Sequence, residues 1–326
     1  MATNVSILIG RLTKDPELRY TTANKPIAVA SFMLAVDRYA KSGKETDFIR
    51  CKAFGKTAEL LEKYDITVIP LCIIMDEKSY FDGLEVSPED IYKWADANKT
   101  TPKTAAVTFD RVTDTLRPFI EAGEDIIFFG ISMKMSSTCN VVRVVGENFE
   151  YGRIFVIDSE NLSTGIGLQI LRAAEMIRDG ADAESIVAAI ESARGFVRTS
   201  FVVDNLTYLA RGGRCSAATA MMANVLGLHP MISVKDGAMG VSKKYRGKMS
   251  MVLKAYVADL KPSLLAADSS RVFLTHSGCD KATLDAVYAE LEALGYFKEI
   301  LITQAGGVIS SHCGPNSLGV LFYEKA

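Results

Sequence analysis

The chain has 326 residues, 48% of them apolar and 23% charged, with a net charge of −2; this is the balance of a folded globular protein and excludes a disordered one. Residues 1–64 carry 11 Lys and Arg against 7 Asp and Glu, a surplus of 4 that leaves −6 for the remainder, so a small basic module precedes a larger acidic one. Six scattered cysteines without a Cys-x-x-Cys pair and three separated histidines argue for reduced thiols and against a metal site. The apolar run 5–9 is too short for a leader and is closed by Gly10-Arg11, and no run approaches the ~20 residues of a membrane span, so the expected location is cytoplasmic.

Residues 5–9, 27–36 and 48–54 read as β-strands separated by segments containing Asp15-Pro16 and Ser42-Gly43. Alternation over the third strand puts Phe48, Arg50, Lys52 and Phe54 on one face and Ile49, Cys51 and Ala53 on the other. The first face interleaves rings with positive charge, as a single-stranded nucleic-acid surface does, and Tyr39, beside Arg38 and Lys41, would add a third ring. A solvated strand face with its rings tucked against a loop fits the same pattern. In residues 56–64, Ala58, Leu61 and Tyr64 recur at helical spacing with Glu59, Glu62 and Lys63 between them, which predicts a short amphipathic helix.

Beyond it the order of elements is α/β. Residues 66–74 form an apolar strand, and Ser87-Pro88-Glu89-Asp90 opens a helix. A second helix fits 108–120. The continuous apolar runs 125–131 and 153–157 are those of a parallel sheet covered on both faces, with helices following at 165–178 and 183–193. After about Phe196, strands at 196–203, 231–234, 272–276, 299–303 and 318–323 alternate with helices around 217–226, 248–260 and 281–294. The reading is two lobes, 65–196 and 197–326, the first with a mostly parallel sheet.

Several stretches carry chemistry. Ile131-Ser132-Met133-Lys134-Met135-Ser136-Ser137-Thr138 leaves a strand and enters a helix, collecting hydroxyls and free N–H groups where a carboxylate or phosphate is well held; helix caps of this composition are also common without a ligand. Thr104-Ala105-Ala106-Val107-Thr108 precedes a helix in the same way. Arg211-Gly212-Gly213-Arg214 sets two guanidiniums around a turn, suited to an anion or an acidic partner, or to a plain helix cap with solvated arginines. His312 falls in a stretch dense in turn formers, Gly306 to Asn316, and reads as a loop residue. Cys313 beside it would diverge along an extended loop. No Gly-x-Ser-x-Gly or dinucleotide fingerprint supports an enzyme, and Gly165-Ile166-Gly167, without a third glycine, reads as helix packing.

The runs Gly10-Arg11-Leu12-Thr13-Lys14-Asp15-Pro16, Phe32-Met33-Leu34-Ala35-Val36 and Asp47-Phe48-Ile49-Arg50-Cys51-Lys52-Ala53-Phe54-Gly55 resemble bacterial single-stranded DNA-binding protein. The resemblance implies an OB-fold fragment over 1–64, with Tyr39, Phe48 and Phe54 at base-stacking positions and Arg50 and Lys52 between them. It stops near Tyr64, two strands short of that family's fold.

From Asp65 onward, Asp65-Ile66-Thr67-Val68-Ile69-Pro70-Leu71, Tyr80-Phe81-Asp82-Gly83, the serine-rich run ending at Thr138, Val156-Ile157-Asp158-Ser159, Arg211-Gly212-Gly213-Arg214 and Ser311-His312-Cys313-Gly314-Pro315 resemble the DegV family of fatty-acid-binding proteins, carrier subunits of bacterial fatty acid kinase. That resemblance implies an acyl chain buried between two lobes, its carboxylate held by Thr104, Ser136, the N–H of Ser137 and His312, with Arg211 and Arg214 facing a kinase partner. The family begins with a strand and a Thr-Asp-Ser motif that this chain lacks, which makes residues 48–54 the candidate to fill that strand position. The combined expectation is a chimera: a non-catalytic fatty-acid binder, without metal or cofactor, capable of self-association through strand edges. Single-stranded DNA binding is the competing function.

Overall fold

The computed structural model describes residues 60, 64, 66–149, 153–204, 206–215 and 227–325, together with the backbone of residues 11–12, 17–20, 28–40 and 43–54. In the N-terminal segment β1 (Arg11–Leu12), β2 (Glu17–Tyr20), β3 (Ala28–Ala40) and β4 (Gly43–Phe54) form one antiparallel sheet in which β3 pairs with the other three. The β3–β4 register runs from Val29↔Phe54 to Ala40↔Gly43 and sets Phe48 opposite Ala35 and Tyr39 opposite Lys44. The expected strand 5–9 and the side chains of Tyr39, Phe48, Arg50, Lys52 and Phe54 lie outside the described residues. Among the described residues β4 pairs with β3 alone, so residues 48–54 do not serve as the substitute strand of a following sheet.

Of residues 56–64, Leu60 and Tyr64 are described. Tyr64 N–H donates to the Leu60 carbonyl at 3.1 Å, the i→i−4 bond of a helix, and both side chains pack against Leu168, Phe273 and Leu321.

β5 (Cys72–Met75) and β6 (Lys78–Phe81) are joined by Asp76 and Glu77, both at positive φ, 49° and 63°. That two-residue turn matches the twist of a hairpin and makes the pair antiparallel. Next, α1 (Pro88–Asn98) begins with a reciprocal cap, Ser87 Oγ accepting from Asp90 N–H and the Asp90 carboxylate from Ser87 N–H. β7 (Lys103–Ala105) pairs with β5 on its other side, and α2 (Phe109–Glu121) starts from Thr108, whose hydroxyl accepts from Arg111 N–H. Ile73, Ile91, Leu116 and Val142 form the core between this sheet and its helices.

β8 (Ile126–Gly130), α3 (Thr138–Gly146) and β9 (Ile154–Asp158) make a β-α-β unit whose helical crossover brings the strands parallel. α4 (Thr164–Arg178) and α5 (Ala183–Ala193) pack Ile166, Ile170, Ile186 and Ile190 on Phe129 and Ile157.

The rest is built on six strands, β10 (Val197–Val202), β11 (Leu228–Lys235), β12 (Ala238–Arg246), β13 (Ala267–Ser277), β14 (Glu299–Gln304) and β15 (Ser317–Glu324), in the order β12-β11-β10-β15-β13-β14. Between them run α6 (Thr207–Gly212), α7 (Met249–Leu265), α8 (Lys281–Glu292) and α9 (Gly307–Cys313). One core joins Leu253, Tyr256, Leu274 and Phe322; another sets Phe273 and Leu321 against Leu168 and Leu171 of α4. The buried Tyr256 hydroxyl donates to the Ser200 carbonyl (2.8 Å) and accepts from Val320 N–H (3.0 Å), tying α7 to β10 and β15.

The α/β class read from the sequence holds, and so does the parallel pairing expected of 125–131 and 153–157; a mostly parallel first sheet is not found. In place of a mostly parallel first sheet there is one parallel pair, β8–β9, beside the antiparallel sheet β6-β5-β7. Apolar runs signal burial and carry no information on direction; short turns and crossovers decide that. β6, β7 and β12 escape a sequence reading because they are edge strands containing Lys78, Lys103, Lys243 and Lys244. The expected strand 66–74 shortens to Cys72–Met75, consistent with Pro70, which has no N–H to donate. The helix expected around 217–226 lies outside the described residues.

Candidate functional site

His312 sits on α9, a seven-residue helix, and not in the loop its turn-rich surroundings predict. Gly-Val-Ile-Ser-Ser-His-Cys is a poor helix former, and the helix is held from outside. Asp82, 6% exposed, accepts from Gly307 N–H through Oδ1 (2.7 Å) and from Val308 N–H through Oδ2 (2.8 Å). Burial pushes the Asp82 carboxyl up to about 6, against the lowering effect of those two bonds. Near the far end of α9, His312 Nε2 lies 2.8 Å from the hydroxyl of Thr104, which stands opposite Ile73 on the edge strand β7. Its other ring nitrogen faces the end of α6: a Cβ at Gly212 would lie 2.2 Å from His312 Nδ1. Burial, then the positive charge of Arg214, lower the imidazole pKa to about 4, so the ring is neutral near pH 7.

Ser136 and Ser137 lie in the turn that follows β8, at the carboxyl end of the parallel pair, the end at which open α/β sheets bind ligands. Met135 N–H (2.8 Å) and Ser136 N–H (2.9 Å) both donate to the Ser132 carbonyl, and Ser132 N–H donates to the Asn161 carbonyl (2.9 Å). Ser136 Oγ is 3.0 Å from Thr138 Oγ1 and accepts from Thr138 N–H. Ser137 is the N-cap of α3 and makes no side-chain capping bond. The first N–H groups of a helix have no intrahelical acceptor and concentrate partial positive charge there. The turn is clasped by the tip of the β11–β12 hairpin: Ser132 Oγ donates to the Gly237 carbonyl (2.6 Å) and Lys134 Nζ to the Asp236 carbonyl (2.7 Å).

Thr104, Ser136, Ser137 and His312 line one cleft, together with Arg214 and with apolar walls that include Ile131, Leu162, Met239 and Ile309. Leu162, Ile309 and Cys313 also line a second, small cavity, whose walls include Phe201, Leu318 and Leu321. The cleft combines hydrogen-bonding side chains with a largely apolar lining. Arg214 is an exposed residue of the cleft wall that donates to the Gly212 carbonyl (2.8 Å). Arg211, exposed on α6, is not part of the wall, and Gly213 (φ 68°) caps that helix by donating to Leu209. Burial pushes the Cys313 thiol up to about 12, which disfavours the thiolate.

Sequence reasoning missed Asp82, Gly212 and the hairpin tip. Asp236-Gly237 is a hairpin dipeptide that alternation on either side would have flagged. Asp82 and Gly212 stand in runs singled out from the sequence, but nothing local tells their roles, since their partners lie 225 and about 100 residues away. Among the described residues no cluster of three or more His, Cys, Asp and Glu is placed to hold a metal, and no helix is long and apolar enough to cross a membrane.

The sequence profile described as an uncharacterised protein of the DegV family matches residues 55–325, and that of the single-strand binding protein family matches residues 3–65. The two overlap at 55–65, across the short helix predicted at 56–64. A DegV domain-containing protein of Clostridium perfringens is 31% identical over 268 residues, covering 82% of this chain and 94% of its own. One from Caldanaerobacter subterraneus subsp. tengcongensis is 31% identical over 270 residues, with the same coverage of 82% and 94%. Among solved structures, a DegV family protein from Thermus thermophilus described for its fatty acid binding superposes with a TM-score of 0.75 at 26% identity, over 82% of this chain and 95% of that one. A stearic acid-binding protein from Eubacterium ventriosum gives 0.70 at 27% identity, over 82% and 94%. By residues 55–325 the chain belongs to the DegV family, joined behind an N-terminal segment that matches the single-strand binding family.

Proposed function

We propose that this protein binds a long-chain fatty acid without transforming it, the carboxylate at Thr104, Ser136, Ser137 and His312 and the chain along the apolar walls. The observation that carries the reading is that these four residues, from three separate stretches of the chain, line a single cleft whose other walls are largely apolar side chains. Relatives of 26% and 27% identity described as binding fatty acids support it. A carboxylate only accepts hydrogen bonds, and the neutral His312 ring would meet that need indirectly: in its Nε2–H tautomer it donates to Thr104, 2.8 Å away, which frees the Thr104 proton for the ligand. Burying a sixteen-carbon chain supplies roughly 12 kcal/mol of gross driving force at about 0.8 kcal/mol per methylene. An unpaired buried carboxylate would offset much of that, so the donors decide where the head group sits. Arg214 on the cleft wall and Arg211, exposed on α6, would present the surface through which a kinase partner reaches the carboxylate. In this reading residues 65–196 and 197–326 are the two lobes that enclose the chain.

Native mass spectrometry of protein expressed in bacteria, followed by denaturation, tests the proposal. About one fatty acid released per chain supports it; an empty protein that also fails to take up added palmitate refutes it.

A second reading concerns residues 1–64 as an OB-fold fragment. The single-strand binding profile over 3–65 and the β3–β4 hairpin favour it. Single-stranded DNA would stack on Tyr39, Phe48 and Phe54, with Arg50 and Lys52 at the phosphates. Oligo-dT binding that weakens steeply with salt supports this reading, and no binding at low salt removes it.

A further inference from the structure

α9 is too short to hold itself: helices under about a dozen residues are marginal without tertiary support. Val308, Ile309 and Cys313 pack it into two apolar cores, and its hydrogen bonds at the two ends both lead to the same sheet. At the start, both Asp82 oxygens are taken by Gly307 and Val308 N–H. Asp82 directly follows β6, and its own N–H donates to the Leu71 carbonyl at 3.0 Å, one residue before β5. At the other end, His312 meets Thr104 on β7, and β7 pairs with β5. The circuit runs from β5 through Asp82 into the helix, along it to His312, across to Thr104 and back to β5. The approach is close: a Cβ at Gly307 would lie 2.6 Å from Asp82 Oδ1 and 2.5 Å from Ile73 Cδ1. An isolated capping carboxylate would do its work equally well on the surface; this one is buried beneath the helix that delivers a cleft residue.

We propose that Asp82 is a positioning residue of the binding site, whose carboxylate sets α9 against the β5–β7 sheet so that His312 meets Thr104. It touches no ligand and acts through His312. The proposal rests on the fatty-acid reading for its consequence, and its geometry can be tested apart from that reading.

The experiment compares full-length protein with Asp82→Ala, Asp82→Asn, His312→Ala and the Asp82→Asn/His312→Ala double variant. The imidazole ¹⁵N resonances of His312 are recorded without ligand, and [1-¹³C]palmitate affinity is measured on the same samples. Asp82→Asn keeps one acceptor oxygen and the side-chain size, so it carries the test if Asp82→Ala does not fold. The expected result is a displaced His312 signal with the other histidine signals in place, and palmitate affinity lower by about tenfold in Asp82→Asn. In the His312→Ala background the same change should cost less than about twofold, because coupled residues are not additive. An unmoved His312 signal in a folded variant, or an equal loss in both backgrounds, overturns the proposal. If the wild-type protein takes up no palmitate, the fatty-acid reading fails, and the His312 signal alone decides on Asp82.

Discussion

Thr104 Oγ1 and His312 Nε2 lie 2.8 Å apart across 208 positions of sequence, between an edge strand and a helix that share no local signal. For Thr104 to donate to a ligand, its oxygen must accept from the ring, which specifies the Nε2–H tautomer and leaves Nδ1 bare against Gly212. His312 Nδ1 indeed has no hydrogen-bond partner among the described residues. Thr104→Val and His312→Ala should each weaken palmitate binding by about 1.5–3 kcal/mol, the range for hydrogen bonds to a charged group. Displacement of a fluorescent fatty acid measures this, and wild-type affinity in both variants would remove the pair from the site.

Gly212 leaves room for that ring and nothing larger. In Gly212→Ala the new methyl would stand 2.2 Å from Nδ1, so the imidazole must move and the bond to Thr104 must break. We expect a loss of stability of about 1–3 kcal/mol from overpacking together with the palmitate phenotype of His312→Ala. Thermal melts and ligand titrations check both; a folded Gly212→Ala protein with normal affinity would contradict the placement of the ring.

Protonation should act through His312 and Asp82 with opposite sign. The His312 pKa falls from its ordinary 6.5 to about 4 in the folded chain, so between those values the unfolded chain holds a proton that the native one lacks. Stability therefore drops as pH is lowered from 6.5 to 4, by up to about 3 kcal/mol from this group. His276, also lowered to about 4 chiefly by burial, has the same sign. Asp82, raised from 3.8 to about 6, holds a proton in the native state that the unfolded chain has lost, so its contribution falls as pH rises through that window. Urea denaturation from pH 4 to 7 should show His312→Gln less acid-sensitive than wild type and Asp82→Asn more so. Identical pH profiles for all three proteins would show that neither group titrates as its burial requires.

The β11–β12 tip should govern the serine turn. Ser132→Ala deletes the donor to the Gly237 carbonyl and should cost about 1 kcal/mol. Gly237→Val is expected to cost more, since φ is 74° and its Cβ would lie 2.6 Å from Ser132 Oγ. In both variants hydrogen exchange should speed up at residues 235–239 and 132–137 together. Faster exchange at the tip alone would mean that the clasp does not hold the turn.

By itself the sequence determined what is local. The helix opened by Ser87-Pro88-Glu89-Asp90, the helix read over 108–120 and the apolar strands at Ile126–Gly130 and Ile154–Asp158 each depend on residues a few positions apart, and each is found close to where the pattern puts it. The hydroxyl-rich turn before α3 was legible for the same reason. Tertiary structure decided the rest. Strand direction followed from the turns at Asp76-Glu77 and Asp236-Gly237 and from the helical crossovers, none of which alters an apolar run. The segment around His312 reads as a loop because its residues are weak helix formers; it becomes a helix because a carboxylate 225 residues earlier accepts its first N–H group. The binding cleft belongs to this second class. Its polar residues come from three separate stretches of chain, and only the packing of α9 against the β5–β7 sheet brings Thr104 and His312 within one hydrogen bond of each other.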